Sequence, residues 1–301
     1  MYDLIIVGGG PAGLTAAIYA IRRRLNVFLV SMDLGGKINY RMEISDVDTH
    51  QVIRGVEIVE KFWRELDYLE FARHLEPVTK ISKDKENFLV ETSGGDMLQA
   101  KSIIFATGAR VKSLEVPGEK EFLGRGLSYS ALSHAPLFIG KRTAVIGDGD
   151  LALRAVAELS LNAEAVHLIV ESPDIVETPL VQRLATNLKV IIWEGYRVKE
   201  IQGTAAAERI IMANEEGATA EVEIDGVFVE IGLVPNSEPV SGLAELDEQG
   251  RVKVDNLNRT SCPGLFAAGD VTDAFAEQVL IAVGEGAKAA LSAYDYLLPN
   301  L

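Results

Sequence analysis

Two glycine clusters carry a spacing that suits phosphate chemistry. In "DLIIVGGGPAGLTAA", Gly8, Gly10 and Gly13 follow an apolar run and lead into residues with helical periodicity. Glycines so placed permit a tight turn, a close backbone approach to a pyrophosphate, and close packing of helix on sheet. Pro11 and Ala12 open the helix, whose first N–H groups and positive dipole end favour an anion. The stretch "TAVIGDGDLALRAV" repeats the arrangement with Gly147, Gly149 and Ala152, but sets Asp148 and Asp150 inside the loop. Those carboxylates repel a phosphate unless they turn outward. A pair of charges about 4 Å apart in water costs only about 1 kcal/mol, so the loop is weakened as an anion site and not abolished.

An acid about twenty residues beyond such a fingerprint holds the adenine-side ribose. After the first, "FLVSMDLGGK" offers either Asp33 or the Ser31 hydroxyl. After the second, "AVHLIVESPD" offers Glu171, which accepts from a ribose diol and repels a 2′-phosphate. A nicotinamide cofactor there is NADH before NADPH. The competing reading leaves Glu171 as a solvated strand end beside a vestigial pocket.

The elements that position these residues alternate. Glycine-flanked apolar runs, from "DLIIVGGG" through "NVFLVS", "SIIFATGA", "AVHLIVE" and "KVIIWEG" to "GVFVEIG" and "GLFAAGD", read as parallel strands. Helical patterns such as "LALRAVAELSLN" lie between several of them, which argues for an α/β fold. Thr107 and Gly108 close one strand and Asp270 another, while "NEEGATAEVEIDG" reads as a hairpin.

At 301 residues the chain accommodates two domains. A net charge of −15 argues against nucleic acid and anionic membrane surfaces. No apolar stretch reaches the roughly 18 residues of a membrane span, and the expected location is cytoplasmic. The single cysteine, Cys262, excludes an intrachain disulfide and reads as a small packing residue.

Taken together, "GGGPAG", "ATGA" and "PGLFAAGD" resemble the two-dinucleotide-domain flavoproteins. "GEGAKAALSAYDYL" narrows the likeness to the low-molecular-weight thioredoxin reductase group, the class II pyridine nucleotide-disulfide oxidoreductases. "YSALSHAPLFIGKRTAVIGDGD" and "GVFVEIGLVPN" are similar to the reductase part of the alkyl hydroperoxide reductase flavoprotein subunit. The resemblance implies two Rossmann-like dinucleotide-binding domains, the second inserted into the first. It places an FAD-binding domain at 1–111 and 238–301, an NAD(P)H-binding-type domain at 112–237, and the chain in a homodimer. The FAD positions it carries over are Gly8, Gly10, Gly13, Gly36, Thr107, Gly108, Asp270, Gln278 and Val279, and Pro11, Ala12 and Asp33 are expected to bind FAD beside them.

Departures from the family begin near the flavin ring, where Lys37 replaces a glutamine and Ser45-Asp46 replaces a Glu-Asn pair. Lys37 and Asp46 are kept among the FAD-binding positions. Lys37 either sets a cation beside the isoalloxazine, or extends to solvent or pairs with Asp46. The largest departure is Ser130, Ser133 and His134, where the family carries its Cys-x-x-Cys pair and following acid. Serine cannot store two electrons, so thioredoxin reduction by the usual route is excluded. What remains is an FAD-dependent NAD(P)H oxidoreductase serving a small-molecule or protein acceptor that is not a disulfide. The alternative is an FAD-binding protein with a degenerate nicotinamide site, acting as an electron-transfer subunit, a ferredoxin-linked flavoprotein or a non-catalytic partner. His134 is the candidate catalytic proton donor, against a plain solvent-exposed loop histidine. Tyr129 either stacks near the ring or fills a domain interface. His50, His74 and His167 show no metal-ligand spacing, and no metal is expected.

Overall fold

The computed structural model describes residues 1–39, 42, 64, 73–172 and 178–300. Asp46, with its neighbour Ser45, and His50 lie outside the described residues. The first unit begins with β1 (Tyr2–Val7), α1 (Pro11–Arg22), β2 (Val27–Val30), β3 (Arg73–His74), β4 (Val78–Asp84), β5 (Asn87–Thr92), β6 (Met97–Phe105) and β7 (Ala109–Val111). The second holds β8 (Leu127–Ser128), β9 (Arg142–Ile146), α2 (Asp150–Asn162), β10 (Ala165–Val170), α3 (Pro179–Ala185) and β11 (Val190–Glu194), then β12 (Tyr196–Gly203), β13 (Ala207–Asn214), β14 (Thr219–Glu223) and β15 (Gly226–Val229). The chain returns through β16 (Leu233–Pro235), which pairs with β7, and ends the first unit with β17 (Leu265–Ala267) and α4 (Val279–Leu297).

The protein is α/β, with two Rossmann-like units and the second inserted into the first. Among the described residues the first unit takes up 1–39, 73–110 and 234–300, and the second runs between. Residues 234–237, expected in the inserted domain, fold with the first unit. Asn236 is the reason: its side-chain amide donates to the Thr107 carbonyl at 2.9 Å and its backbone carbonyl accepts from the Thr107 hydroxyl at 2.8 Å.

In the first unit, β3, β2, β1, β6 and β17 are parallel, while β4 and β5 extend the sheet antiparallel from β6. The nine-residue β6 is shared, its first half bonding β5 and its second half β17. The second unit has the same plan: a parallel sheet ordered β11-β10-β9-β15-β8 and an antiparallel sheet β12-β13-β14. The parallel strands are continuous apolar runs because both faces are covered. Leu4 and Ile6 pack with α1 and α4 on one face, and Ile5 and Val7 pack with Phe88 and Phe105 on the other. The hairpin expected around "NEEGATAEVEIDG" is β13–β14. Cys262 is buried in the first unit's core. No helix among the described residues is long and apolar enough to cross a membrane.

A buried carboxylate organises the entry to the second unit. Glu119, 1% exposed, accepts from the Ser113 hydroxyl at 2.5 Å, the Leu114 and Glu115 amides at 2.8 Å each, and the Tyr129 hydroxyl at 3.0 Å. Tyr129 is therefore a ligand of this carboxylate. Leaving buried donors without an acceptor costs about 1–3 kcal/mol each. Glu119→Ala should destabilise the protein by about 3 kcal/mol or more, and Tyr129→Phe by about 1 kcal/mol, as read by urea unfolding.

Candidate functional site

In the first unit the fingerprint turn forms as its glycines require. Gly8 has φ +113°, and a Cβ there would strike the Ala106 carbonyl. A Cβ on Gly13 would overlap the Gly8 carbonyl oxygen, so α1 can begin this close to the turn only with glycine at that position. Gly10, Gly36 and Gly108 differ, since a Cβ on Gly10 or Gly108 meets nothing within 4 Å and one on Gly36 touches only the Gly10 Cα at 3.5 Å. The open side of the turn is thus lined by backbone.

Capping points the same way. No side chain caps α1 at Gly10, α2 at Gly149 or α4 at Gln278, whereas Thr178 caps α3 and Ser130 caps the turn Ala131–His134. The helices that open beside the fingerprints and after Asp270 present their first N–H groups to whatever binds there. These features fit a dinucleotide.

The Ser31 hydroxyl is committed, accepting from the Gly9 amide at 2.7 Å and donating to the Asp33 carbonyl at 2.6 Å. Asp33 is exposed and accepts from the Gly36 amide at 3.1 Å, which leaves it the better placed of the two candidate ribose contacts. Lys37 pairs with Asp270, Nζ to Oδ2 at 2.7 Å. Its side chain is also one third exposed, and Asp46, the partner expected for it, lies outside the described residues. Burial pushes the Glu277 carboxyl up, with Lys37 pulling it back and Asp270 adding to the rise. Burial likewise raises Glu285, although its carboxylate accepts from the Gly269 amide at 2.7 Å. Thr107 and Gly108 are laced to Asn236, whose backbone amide also donates to the Gly108 carbonyl at 3.0 Å. Gln278 and Val279 open α4.

In the second unit, Gly147 has φ +144° and abuts Ala152 and the Glu230 carbonyl, while a Cβ on Gly149 meets open space. Asp148 and Asp150 are exposed, and Asp150 lies in the first turn of α2, where a carboxylate offsets the positive helix end. Glu171 pairs with Arg197 at 3.1 Å, both about two thirds exposed. Arg197 gave no signal in the sequence because it is brought to Glu171 from a separate strand, β12.

The serine turn is built from hydrogen bonds. Ser130 Oγ accepts from the Ser133 amide at 3.3 Å and donates to Ser133 Oγ at 3.0 Å, and Glu230 accepts from the Ala131 amide at 2.7 Å. His134 is half-buried with Nδ1 2.8 Å from the Ser128 hydroxyl, which corrects the picture of a solvent-exposed loop residue. Burial pushes its imidazole below the usual range, against a smaller opposing effect from a backbone hydrogen bond at Ser130. His167 Nδ1 accepts from the Trp193 indole at 3.1 Å, a packing role. His74 differs from expectation: Glu76 and Asp96 converge on it, although only Glu76 is near in sequence.

Two glycine-turn units, each with an uncapped helix end and a carboxylate beyond the second strand, define a protein built to hold two dinucleotides. The family model described as "Pyridine nucleotide-disulphide oxidoreductase" matches residues 2–286. The NADH dehydrogenase of Bacillus subtilis (strain 168) is 36% identical over 304 residues, covering 99% of this chain and 59% of that protein. An alkyl hydroperoxide reductase component of Pseudomonas aeruginosa is 34% identical over 304 residues, covering 99% and 58%. The crystal structure of thioredoxin reductase from Streptococcus pyogenes MGAS5005 matches with a TM-score of 0.91 at 33% identity over 99% of both chains. The chain spans about three fifths of the length of these two curated relatives. It belongs to the pyridine nucleotide-disulphide oxidoreductase family and is a thioredoxin reductase-like flavoprotein within it.

A pH signature follows from His134. Its folded pKa lies below the unfolded value of about 6.5, so the unfolded chain takes up the proton first as pH falls. The stability attached to it is intact above about pH 6.5 and is lost below, until the folded form also protonates. Urea unfolding of His134→Gln between roughly pH 7.5 and 5 should show a smaller loss of stability than the wild type shows.

Proposed function

We propose that this protein uses FAD to carry electrons from a nicotinamide nucleotide, NADH in preference to NADPH, to an acceptor that is not a disulfide. One observation carries the reading. At the position where a redox cysteine pair is expected stand Ser130 and Ser133, their hydroxyls 3.0 Å apart, and the chain's one cysteine is buried in the other unit with its thiol pushed up by burial.

FAD, when bound, supplies two-electron chemistry that no side chain here possesses. The residues supply the rest. The Gly8–Gly13 turn and the uncapped start of α1 take the pyrophosphate, with Pro11 and Ala12 in the first turn and Asp33 toward the ribose. Asp270 offers a carboxylate to a ribityl hydroxyl while Lys37 pairs with it, and Gln278 and Val279 present the start of α4 to a ring carbonyl. Gly36, Thr107 and Gly108 leave backbone open to the cofactor. In the second unit Gly147, Gly149 and Ala152 hold the other pyrophosphate and Glu171 the ribose diol. His134, with Nδ1 2.8 Å from the Ser128 hydroxyl, gives a proton to a reduced acceptor from its imidazolium form, which burial makes the minor species at pH 7. We assign the molecule to the cytoplasm as a homodimer, with a small-molecule or protein acceptor.

Gly10→Ala should keep the fold, because its Cβ meets no atom, yet weaken FAD binding by roughly tenfold or more, about 1.4 kcal/mol, as read by flavin absorbance per protein. Anaerobic mixing of the holoprotein with NADH should bleach the flavin at least about tenfold faster than NADPH, and Glu171→Gln should narrow that gap. Ser130→Ala/Ser133→Ala should change turnover with a quinone by less than about threefold. Failure of both nucleotides to bleach the flavin would instead support a degenerate nicotinamide site in an electron-transfer or non-catalytic partner.

A further inference from the structure

We propose that His74, Glu76 and Asp96 form a binding site for a divalent transition-metal ion of the zinc type, in the first unit. His74 Nε2 lies 3.4 Å from Glu76 Oε2 and 3.4 Å from Asp96 Oδ2, and the three atoms fall within 4.8 Å of one another. The imidazole is 31% exposed as a whole, but Nε2 is sealed from water and makes no hydrogen bond.

That arrangement favours a positive charge between the three atoms. The lone pair of a neutral imidazole facing two carboxylate oxygens is repelled by both, and a proton on Nε2 cannot make a short bond to either at this separation. A cation between the three atoms satisfies all of them. With metal–ligand bonds of about 2.1 Å, the ligand–ligand edge of a tetrahedron is about 3.4 Å, whereas that of an octahedron is about 3.0 Å. The two distances to Nε2, 3.4 Å each, are long enough for a tetrahedral site, and the third edge is no more than 4.8 Å. An imidazole donor also selects zinc-like ions over calcium or magnesium, which take oxygen ligands. Three protein ligands leave one position for water, on the side of the exposed Asp96.

Each ligand is held from behind. The His74 ring stacks on Phe28, centroids 6.4 Å apart, and Phe28 stacks on Tyr2 at 4.7 Å. The Glu76 carboxylate accepts from the Gly94 amide at 3.1 Å, at a place where a Cβ on residue 94 would crowd it. Asp96 sits in the turn between β5 and β6, where its amide donates to Thr92 Oγ1 at 3.2 Å. An ion here ties the β3 edge of the sheet to that turn. The same His74 receives the Ser31 amide on its carbonyl at 3.0 Å, so the tie ends one residue pair from the first fingerprint's support.

The test uses the full chain, stripped with a chelator and titrated with zinc chloride by calorimetry. The wild type should bind a single equivalent with a dissociation constant of about 1 µM or tighter. Asp96→Asn, in an exposed turn, should weaken it by at least about tenfold, and His74→Gln should abolish it. Zinc should also raise the melting temperature of the wild type and leave that of His74→Gln unmoved. No saturable zinc binding by the wild type, or equal binding by both variants, overturns the site. Displacement of zinc by a modest excess of magnesium overturns its assignment to a transition metal.

Discussion

The first unit depends on one contact between backbones. With no side chain at Gly13, α1 starts directly on the Gly8 carbonyl oxygen, so the helix axis points its amides across the turn. The same economy recurs one layer out, where Gly286 lets α4 close on the Ala12 carbonyl. Two helices and the tip of β1 are thereby locked into one wedge, with Ala16, Ala17, Ala289, Ala290 and Ala293 keeping the apposed faces thin. A larger residue at either glycine would move both helix ends and the anion site with them.

Charge is arranged around that wedge with care, because buried carboxylates are costly without partners. Glu277 and Glu285 are both raised by burial, and the Asp270 carboxylate adds to the rise of each. Lys37 is the one cation paired with Asp270 among the described residues, and its effect reaches Glu277 as well. Lys37 therefore acts on two acids at once, Asp270 and Glu277. A neutral residue at position 37 would remove the ion pair of Asp270 and one of the two cations, with Arg251, that draw Glu277 back down.

Much of this plan was legible along the chain, and what was not has a common cause. The glycine fingerprints and the parallel strands announce themselves locally, because a covered strand is an unbroken apolar run and a tight turn needs particular residues within a few positions. The antiparallel strands β4, β5, β12 and β13 keep a solvated face, so their polar alternation escapes a search for apolar runs. The pairings Lys37 with Asp270, Glu171 with Arg197, Asn236 with Thr107 and His74 with Asp96 join residues far apart in sequence. Topology alone brings them together, and no spacing rule could have found them.

The serine turn is positioned by hydrogen bonds alone. A cysteine pair at 130 and 133 would fix the first turn of a helix covalently; here Ser130 fixes it as an N-cap, its hydroxyl accepting from the Ser133 amide. Glu230 secures the neighbouring Ala131 amide, and since the Glu230 backbone also borders Gly147, the turn is tied to the second fingerprint. Ser128 closes the arrangement by accepting from the Ser130 amide while holding His134. Every polar atom that positions the turn is thus an oxygen or a nitrogen with no accessible redox state. Hydroxyls cannot store electrons, so a turn held this way orders its neighbours without a redox centre of its own.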